Sequence, residues 1–463
     1  MADYDFVVLG GGSAGYAAAR TAVDAGLKTL VLEGGDEVGG LCILRGCMPS
    51  KTLIESGNRM LAIREAGEFG LSVKDGKPDI PAVIARKKSL IGEFADYRRE
   101  QLASGSFDFL RGQGRFVGSA EIEVTLSEGG SRRITASSFL LATGSVHAAP
   151  PIPGLVESNP LTSDDILELE RLPESIVVLG AGPVALEMAH YLHAMGVKVT
   201  IVQRSPQFLR GTDPDVANVV EEVFRQRGME VYTGTKLLGI EGEPNAWRIR
   251  FEYKEREICL EVASVLNGLG RTPATEGLGL EAAGVKLKGR AIATGPDQAT
   301  SVPNIFAAGD CCGPYEVVHI AVRQGEIAAT NAARRLRGEE PPEKIDYRLK
   351  LYAIFTEPQV GIVGLSETEA RERGIDVLCA SHPFADHGKS LVMGERHGFV
   401  KLIVSKESRE ILGGAVVGPH ASDLIHEVVV AMAFHSTAAQ FAAIPHYHPT
   451  LSEIWTYPAE ELA

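Results

Sequence analysis

The sequence predicts an α/β fold built on parallel sheets and completed by a C-terminal α+β segment, and three observations carry that prediction. Two βαβ units are written into the chain, one at its start and one near residue 175, each an apolar run, a glycine-rich turn, an apolar helix and a second apolar run. The 51 glycines exceed average usage and cluster at turns after apolar runs, as alternating strands and helices require. Finally, 463 residues that are 44% hydrophobic exceed what one core supports, so two to four domains are expected.

In the first unit, Phe6 to Leu9 reads as a strand, about Gly15 to Ala25 as an alanine-rich helix and Thr29 to Leu32 as the returning strand. In the second, Ser175 to Leu179, a turn at Gly180 to Gly182, a helix to about Met195 and Val197 to Val202 repeat the arrangement as a paralogous echo. Proline- and glycine-rich stretches at Ala149 to Gly154, Asn267 to Pro273 and Gly338 to Pro342 predict crossings, giving segments 1–150, 151–270, 271–342 and 343–463. Within the last, Val400 to Val404 and Glu410 to Val417 resemble paired strands, and Ser422 to Ala433 a helix.

Composition narrows the partners. With 46 basic against 60 acidic residues the net charge is −14, which argues against a nonspecific hold on phosphate backbones, so no nucleic-acid partner is expected. Nowhere do about 18 consecutive apolar residues occur. Met1 to Asp5 runs into the first strand without a basic leader, which predicts a cytoplasmic protein with no membrane partner. Six cysteines are too few for a disulfide scaffold in so long a chain, so paired cysteines point to chemistry.

Gly10-Gly11-Gly12-Ser13-Ala14-Gly15 supplies Gly-x-Gly-x-x-Gly between a strand and a helix, where glycines let backbone approach a pyrophosphate and the helix N-terminus favours its charge. Glu33 follows Gly10 by 23 residues, at the end of the next strand, where a carboxylate accepts hydrogen bonds from an adenosine ribose. Both βαβ units therefore predict Rossmann-like dinucleotide-binding domains. In the second loop, Gly180-Ala181-Gly182-Pro183-Val184-Ala185, alanine takes the third position, which only packs helix against strand. The same 23-residue count from Gly180 reaches Gln203, followed by Arg204 and then Arg210. An acid there would repel a 2′-phosphate and guanidinium groups bind one, so NADPH is expected ahead of NADH.

The most informative stretch is Gly39-Gly40-Leu41-Cys42-Ile43-Leu44-Arg45-Gly46-Cys47-Met48-Pro49-Ser50-Lys51. Pro49 suits the first turn of a helix, which puts Cys47 near a helix N-terminus where the dipole lowers a thiol pKa. This stretch resembles the active-site segment of the class I pyridine nucleotide-disulfide oxidoreductases, the family of dihydrolipoamide dehydrogenase, glutathione reductase and mercuric reductase. The resemblance runs nearly end to end, with Leu41 and Leu44-Arg45 standing where the family usually has threonine and Asn-Val.

That resemblance implies a redox disulfide of Cys42 and Cys47, with Cys42 exchanging with substrate and Cys47 contacting FAD. His446-Tyr447-His448-Pro449-Thr450-Leu451-Ser452-Glu453 is similar to the family's C-terminal signature, implying His448 as acid-base and Glu453 as the carboxylate that orients it. His448 would serve the disulfide of a second subunit, which makes 343–463 a dimerisation domain of a homodimer. Ala142-Thr143-Gly144 and the stretch ending at Asp310 resemble flavin-site motifs, and Gly114 joins that set. Lys51 and Glu187 correspond to an ion pair beside the flavin ring, and Gly270 and Arg271 to nucleotide-site residues. The segments then read as FAD, NAD(P), FAD and dimerisation.

The expected reaction passes electrons from NADPH through FAD and the Cys42–Cys47 disulfide to a small disulfide substrate. Arg20 matches an arginine that glutathione reductase uses for a substrate carboxylate, but Glu326 stands where its second arginine belongs, which speaks against glutathione. The chain ends Ala459-Glu460-Glu461-Leu462-Ala463 without the extra cysteines of mercuric reductases. Oxidation of dihydrolipoamide with NAD, a flavin-dependent quinone or metal-ion reductase that bypasses the disulfide, and a nonenzymatic FAD-binding protein stay as alternatives. No metal-ligand set stands out, and the vicinal Cys311-Cys312 reads as ordinary burial.

Overall fold

The computed structural model describes residues 2–74, 76–340 and 342–463, and the strands counted below are those of the described residues. Met1, the first residue of the Met1 to Asp5 stretch, and Pro341 of the third proline-rich stretch lie outside them. The chain forms two compact units: Met1–Pro49, Ala85–Ala148 and Arg271–Asp346 make the first, and Ser50–Ile84, Ala149–Gly270 and Tyr347–Ala463 the second.

The first unit holds a parallel sheet in the order Asp108–Gly118, Thr29–Glu33, Tyr4–Leu9, Ser131–Leu141, Ile305–Ala307. Phe6, Val7 and Val8 are fully buried, and a strand apolar on both faces is what a sheet covered on both sides requires. The two long strands, Asp108–Gly118 and Ser131–Leu141, run past the parallel layer and pair antiparallel with Glu121–Leu126. The helix Ser13–Asp24 starts two residues earlier than its alanine pattern suggests because Gly12 is already extended (φ −68°, ψ −168°) and serves as its N-cap. Its buried alanines, Ala14, Ala18, Ala19 and Ala22, let the helix Val318–Arg337 approach closely. At that crossing a Cβ on Gly325 would stand 2.3 Å from the Ala14 carbonyl oxygen, so only glycine fits.

The second unit contains a four-stranded parallel sheet ordered Ser264–Asn267, Ser175–Leu179, Lys198–Val202, Glu230–Tyr232, with the helix Pro183–Ala194 as its first crossover. A three-stranded antiparallel sheet follows from Lys236 to Val262. Its remaining sheet is antiparallel and five-stranded, ordered Leu351–Ile354, Gln359–Gly364, Ile411–Gly418, Phe399–Ser405, Val377–Pro383. The strands expected near residues 400 and 410 are neighbours in it, with Val400 opposite Val416 and an irregularity between Ile403 and Val404. Helix Ala421–Ala433 packs its buried Leu424, Ile425 and Val428 on this sheet. The mixed α/β architecture with a separate α+β segment is the one the sequence predicts.

Among the described residues no helix is long and apolar enough to cross a membrane.

Candidate functional site

In the first unit the strand Tyr4–Leu9 ends at Gly10, whose φ of +112° suits glycine and whose Cβ would lie 2.3 Å from the Ala142 carbonyl oxygen. A Cβ on Gly15 would meet the Gly10 carbonyl oxygen at 1.8 Å, and one on Gly40 would meet the Gly12 Cα at 2.6 Å. The loop thus presents bare backbone at the N-terminus of a 12-residue helix that begins at Ser13 and buries Ala14. Such a cradle suits a pyrophosphate. Glu33 ends its strand nearly buried, its two oxygens accepting the Gly11 N–H at 3.1 Å and the Gly35 N–H at 2.9 Å. Those bonds fix the carboxylate while each oxygen retains a lone pair for a ribose hydroxyl.

Ala142, Thr143 and Gly144 leave the end of Ser131–Leu141, and the Thr143 hydroxyl donates to the Ala274 carbonyl at 2.7 Å. Asp310 accepts the Ser145 hydroxyl at 2.6 Å, and Arg271 in turn donates to Ser145 Oγ and to its carbonyl oxygen, both at 2.8 Å. Arg271, singled out only as a nucleotide-site residue, therefore reaches Asp310 through Ser145, a residue no motif names. Gly114 lies on Asp108–Gly118, where a Cβ would press Leu32 at 3.1 Å and Leu9 at 3.2 Å. These residues fit an adenine dinucleotide.

Cys42 sits in the short helix Gly40–Leu44, and Cys47 is the first residue of the 19-residue helix Cys47–Glu65; both thiols are half-buried. Pro49 falls in the first turn, where its missing N–H costs nothing, and the helix dipole favours a Cys47 thiolate. Sequence reasoning missed Arg98, whose guanidinium lies 4.0 Å over the Tyr16 ring while Arg20 approaches the same ring at 5.9 Å. Burial holds the Arg98 guanidinium below its ordinary value, and Tyr16 and Cys42 oppose that only in part. One basic residue among several on the helix Ile80–Leu102 gives no sequence signal of that placement.

In the second unit the Lys51 ammonium, further along the helix that Cys47 opens, sits 2.7 Å from Glu187 Oε2 and 4.7 Å over the Phe355 ring. The other Glu187 oxygen accepts the Phe355 N–H at 3.0 Å, and only 6% of the glutamate side chain is exposed. Gly180 has φ +100°, and its Cβ would meet the Gly268 carbonyl oxygen at 2.5 Å. Ala181 is buried, Gly182 caps the helix Pro183–Ala194, and Val184 is exposed at its first turn. The alanine at the third fingerprint position, Ala185, packs against Gly268. Gly270 turns with φ +104°. Beyond the strand Lys198–Val202, Gln203 bonds the Gln207 carbonyl, whereas Arg204 and Arg210 are exposed and neither forms an ion pair with a described residue.

His448 exposes 79% of its side chain, and its Nδ1 lies 2.9 and 3.1 Å from the oxygens of Glu453, which is 12% exposed. An ionised carboxylate accepts only, so Nδ1 carries the proton and Nε2 is the basic nitrogen. A second imidazole that no motif identifies, His387, faces the same carboxylate: its Nε2 stands 3.3 Å from Glu453 Oε1. His446 is tied to Glu427 and the Ile444 carbonyl. Cys311 is fully buried and Cys312 half-buried, both turned to backbone carbonyls.

Residues 4–325 match the family described as "Pyridine nucleotide-disulphide oxidoreductase", and residues 351–459 its dimerisation domain. A dihydrolipoyl dehydrogenase of Chlamydia muridarum is 36% identical over 459 residues, covering 98% of this chain and 96% of its own length. A mercuric reductase of Staphylococcus aureus is 33% identical over 437 residues, 94% of this chain and 78% of that protein. Among solved structures, the HOCl-induced flavoprotein disulfide reductase RclA of Escherichia coli superposes with a TM-score of 0.85 at 26% identity, covering 99% of each chain. LpdA of Mycobacterium tuberculosis gives 0.87 at 28% identity, covering 99% of this chain and 100% of its own.

Proposed function

We propose that this chain, which belongs to the pyridine nucleotide-disulphide oxidoreductase family, is an NADPH-preferring reductase of a small disulfide that works through Cys42 and Cys47. The family's enzymes are FAD-dependent flavoproteins that use NAD(P)H and act on sulfur groups. The observation that carries the reading is Cys47 as the opening residue of a long helix, five residues after Cys42. Segments 1–150 and 271–342 would hold FAD, 151–270 the nicotinamide dinucleotide, and 343–463 would pair two copies.

Gly10, Gly12, Ser13, Gly15, Glu33, Gly114, Ala142 to Gly144 and Asp310 would hold FAD, through the bare loop and the ordered carboxylates described above. When bound, FAD supplies two-electron transfer between the nicotinamide and the cysteine pair. Gly180, Ala181, Gly182, Val184 and Gly270 would hold the nicotinamide dinucleotide, and Arg271, bonded to Ser145, would stand with Asp310 at the FAD. Arg204 and Arg210, exposed and without ion-pair partners among the described residues, suit a 2′-phosphate.

In the reduced pair the Cys42 thiolate attacks one sulfur of the substrate disulfide, forming a mixed disulfide and releasing the other half as a thiolate. His448 Nε2, having first taken the Cys42 thiol proton, returns it to that leaving thiolate, acting on the cysteine pair of a second copy in a homodimer. The Cys47 thiolate then attacks the Cys42 sulfur, restores the Cys42–Cys47 disulfide and releases the second half. Two electrons leave the cysteine pair, the second half takes a proton from water, and one disulfide becomes two thiols. Glu187 keeps Lys51 ordered as a cation for the negative charge that the cofactor gains on reduction.

A second reading, oxidation of dihydrolipoamide with NAD, is favoured by the 36% identity to dihydrolipoyl dehydrogenase. Steady-state assays of the FAD-loaded enzyme with NADPH and NADH, across lipoamide, glutathione disulfide and other low-molecular-weight disulfides, separate the two. Cys42→Ser should lose disulfide turnover by more than about 1,000-fold while NADPH still bleaches the flavin. Full turnover by that variant with its best acceptor would sink the disulfide mechanism in favour of a quinone or metal-ion reductase.

A further inference from the structure

We infer that His387 is a positioning residue for proton transfer, facing Glu453 from behind so that Ser390, His387, Glu453 and His448 line up as one chain of polar contacts; the inference rests on reading His448 as the proton carrier. His387 and Ser390 are both fully buried, whereas His448 is exposed, so the chain runs from the interior to the surface. The His387 Nδ1 lies 2.8 Å from Ser390 Oγ, and its Nε2 lies 3.3 Å from Glu453 Oε1. His387 caps the short helix Gly388–Val392, and a spacing of three puts Ser390 on the same side of that turn.

Acceptor and donor rules fix the polarity. Ionised Glu453 offers only lone pairs, so the nitrogen that faces it must carry the hydrogen. The proton is then on Nε2, and Nδ1 must accept the Ser390 hydroxyl. At 3.3 Å the contact with Glu453 is electrostatic more than a formed hydrogen bond, and Nε2 has no other partner among the described residues. A buried N–H left unmatched is destabilising, so Glu453 is the acceptor that this group needs.

The titratable groups around His387 are Glu453, His448, His382 and Tyr457, whose ring meets it edge-on at 6.4 Å. Burial pushes the imidazole down, and Glu453 pulls it up while His382 and His448 push it down further. The ring is therefore a neutral donor at neutral pH. A neutral N–H dipole aimed at Oε1 leaves Glu453 its charge and fixes its orientation toward His448 Nδ1. Without that dipole the carboxylate attracts the His448 imidazolium more strongly, and His448 titrates higher.

The test is the pH profile of kcat/KM, from pH 5.5 to 9, for the FAD-loaded enzyme with its best disulfide. His387→Phe should lower kcat about 10-fold with KM nearly unchanged, and move the limb belonging to His448 upward by about half to one pH unit. His387→Gln, which keeps an N–H for Glu453, should restore the wild-type limb. Ser390→Ala removes only the hydroxyl that fixes the tautomer and should move the limb the same way by less. It also decides the matter if His387→Phe fails to fold. An unmoved limb in the folded variants, with His448→Ala still crippled, overturns the role of His387 alone. Wild-type turnover by His448→Ala would overturn the proton-carrier reading and this inference with it.

Discussion

Replacing Asp213 by asparagine should destabilise the second compact unit by about 2–3 kcal/mol at neutral pH. Lys401 is nearly buried, with its ammonium 2.8 Å from Asp213 Oδ2 and 2.8 Å from the half-exposed Asp215. Asp213 also accepts the Glu367 N–H at 3.1 Å and the Thr368 N–H and hydroxyl at 3.0 and 2.7 Å. Burial alone would raise this carboxyl, but the Lys401 and Thr368 bonds outweigh it and hold it at about 2, against an ordinary 3.8. At about 1.4 kcal/mol per unit, that depression is worth about 2.5 kcal/mol. A depressed carboxyl contributes in full above its unfolded value and loses the contribution as pH falls through its folded value. The cost of the asparagine should therefore be flat from about pH 5 to 9 and shrink to about half near pH 3. Both tryptophans, Trp247 and Trp455, are buried in this unit, so their fluorescence during urea unfolding reports on it. A double-mutant cycle with Lys401→Met should give about 2 kcal/mol of coupling. Coupling below about 0.5 kcal/mol, or a cost that varies between pH 5 and 9, would refute the reasoning.

Arg204→Glu should raise the KM for NADPH about 10- to 100-fold and leave NADH within about three-fold, since one charge-assisted bond to a phosphate is worth about 1.5–3 kcal/mol. Equal losses for both nucleotides in initial-rate assays would contradict its phosphate role. Glu187→Gln keeps an acceptor for the Phe355 N–H but removes the charge opposite Lys51, which stays seated on the Phe355 ring. Stopped-flow reduction of the flavin by NADPH should slow by about 10-fold; an unchanged rate would show that this ion pair only packs.

What was legible in the sequence is what chemistry writes into consecutive residues. The glycine loops at Gly10 and Gly180 could be read because close backbone approach excludes side chains, and the approach distances at Ala142 and Gly268 bear out that constraint. The strands at Tyr4–Leu9 and Ser175–Leu179 were equally readable, because burial on both faces leaves an apolar run at Phe6 to Leu9 and at Ile176 to Leu179. Ser145, Arg98 and His387 were not readable. Each acts through a neighbour at least 56 residues away, and a serine, an arginine on a charged helix or a histidine in a loop looks the same whether or not that neighbour exists.

The residues missed and the residues found are nonetheless parts of one pattern. Every carboxylate on which the functional reading rests is held by a contact that the fold supplies and no motif records. Glu187 meets Lys51 with one oxygen and the Phe355 N–H with the other. Glu453 orients His448 while His387 faces it from the buried side, and Asp310 is held by Ser145, itself held by Arg271. Glu33 is fixed through both oxygens before any ribose arrives. A carboxylate gripped on one side keeps its position when the partner on the other side changes protonation or leaves, so the electrostatic work goes into the reaction and not into reorienting the group. The same logic predicts an asymmetry among substitutions. Removing the motif partner of such a carboxylate should change rate and pH dependence while leaving the fold intact, whereas removing the hidden partner should change both, because it also strands a carboxylate oxygen on its buried side.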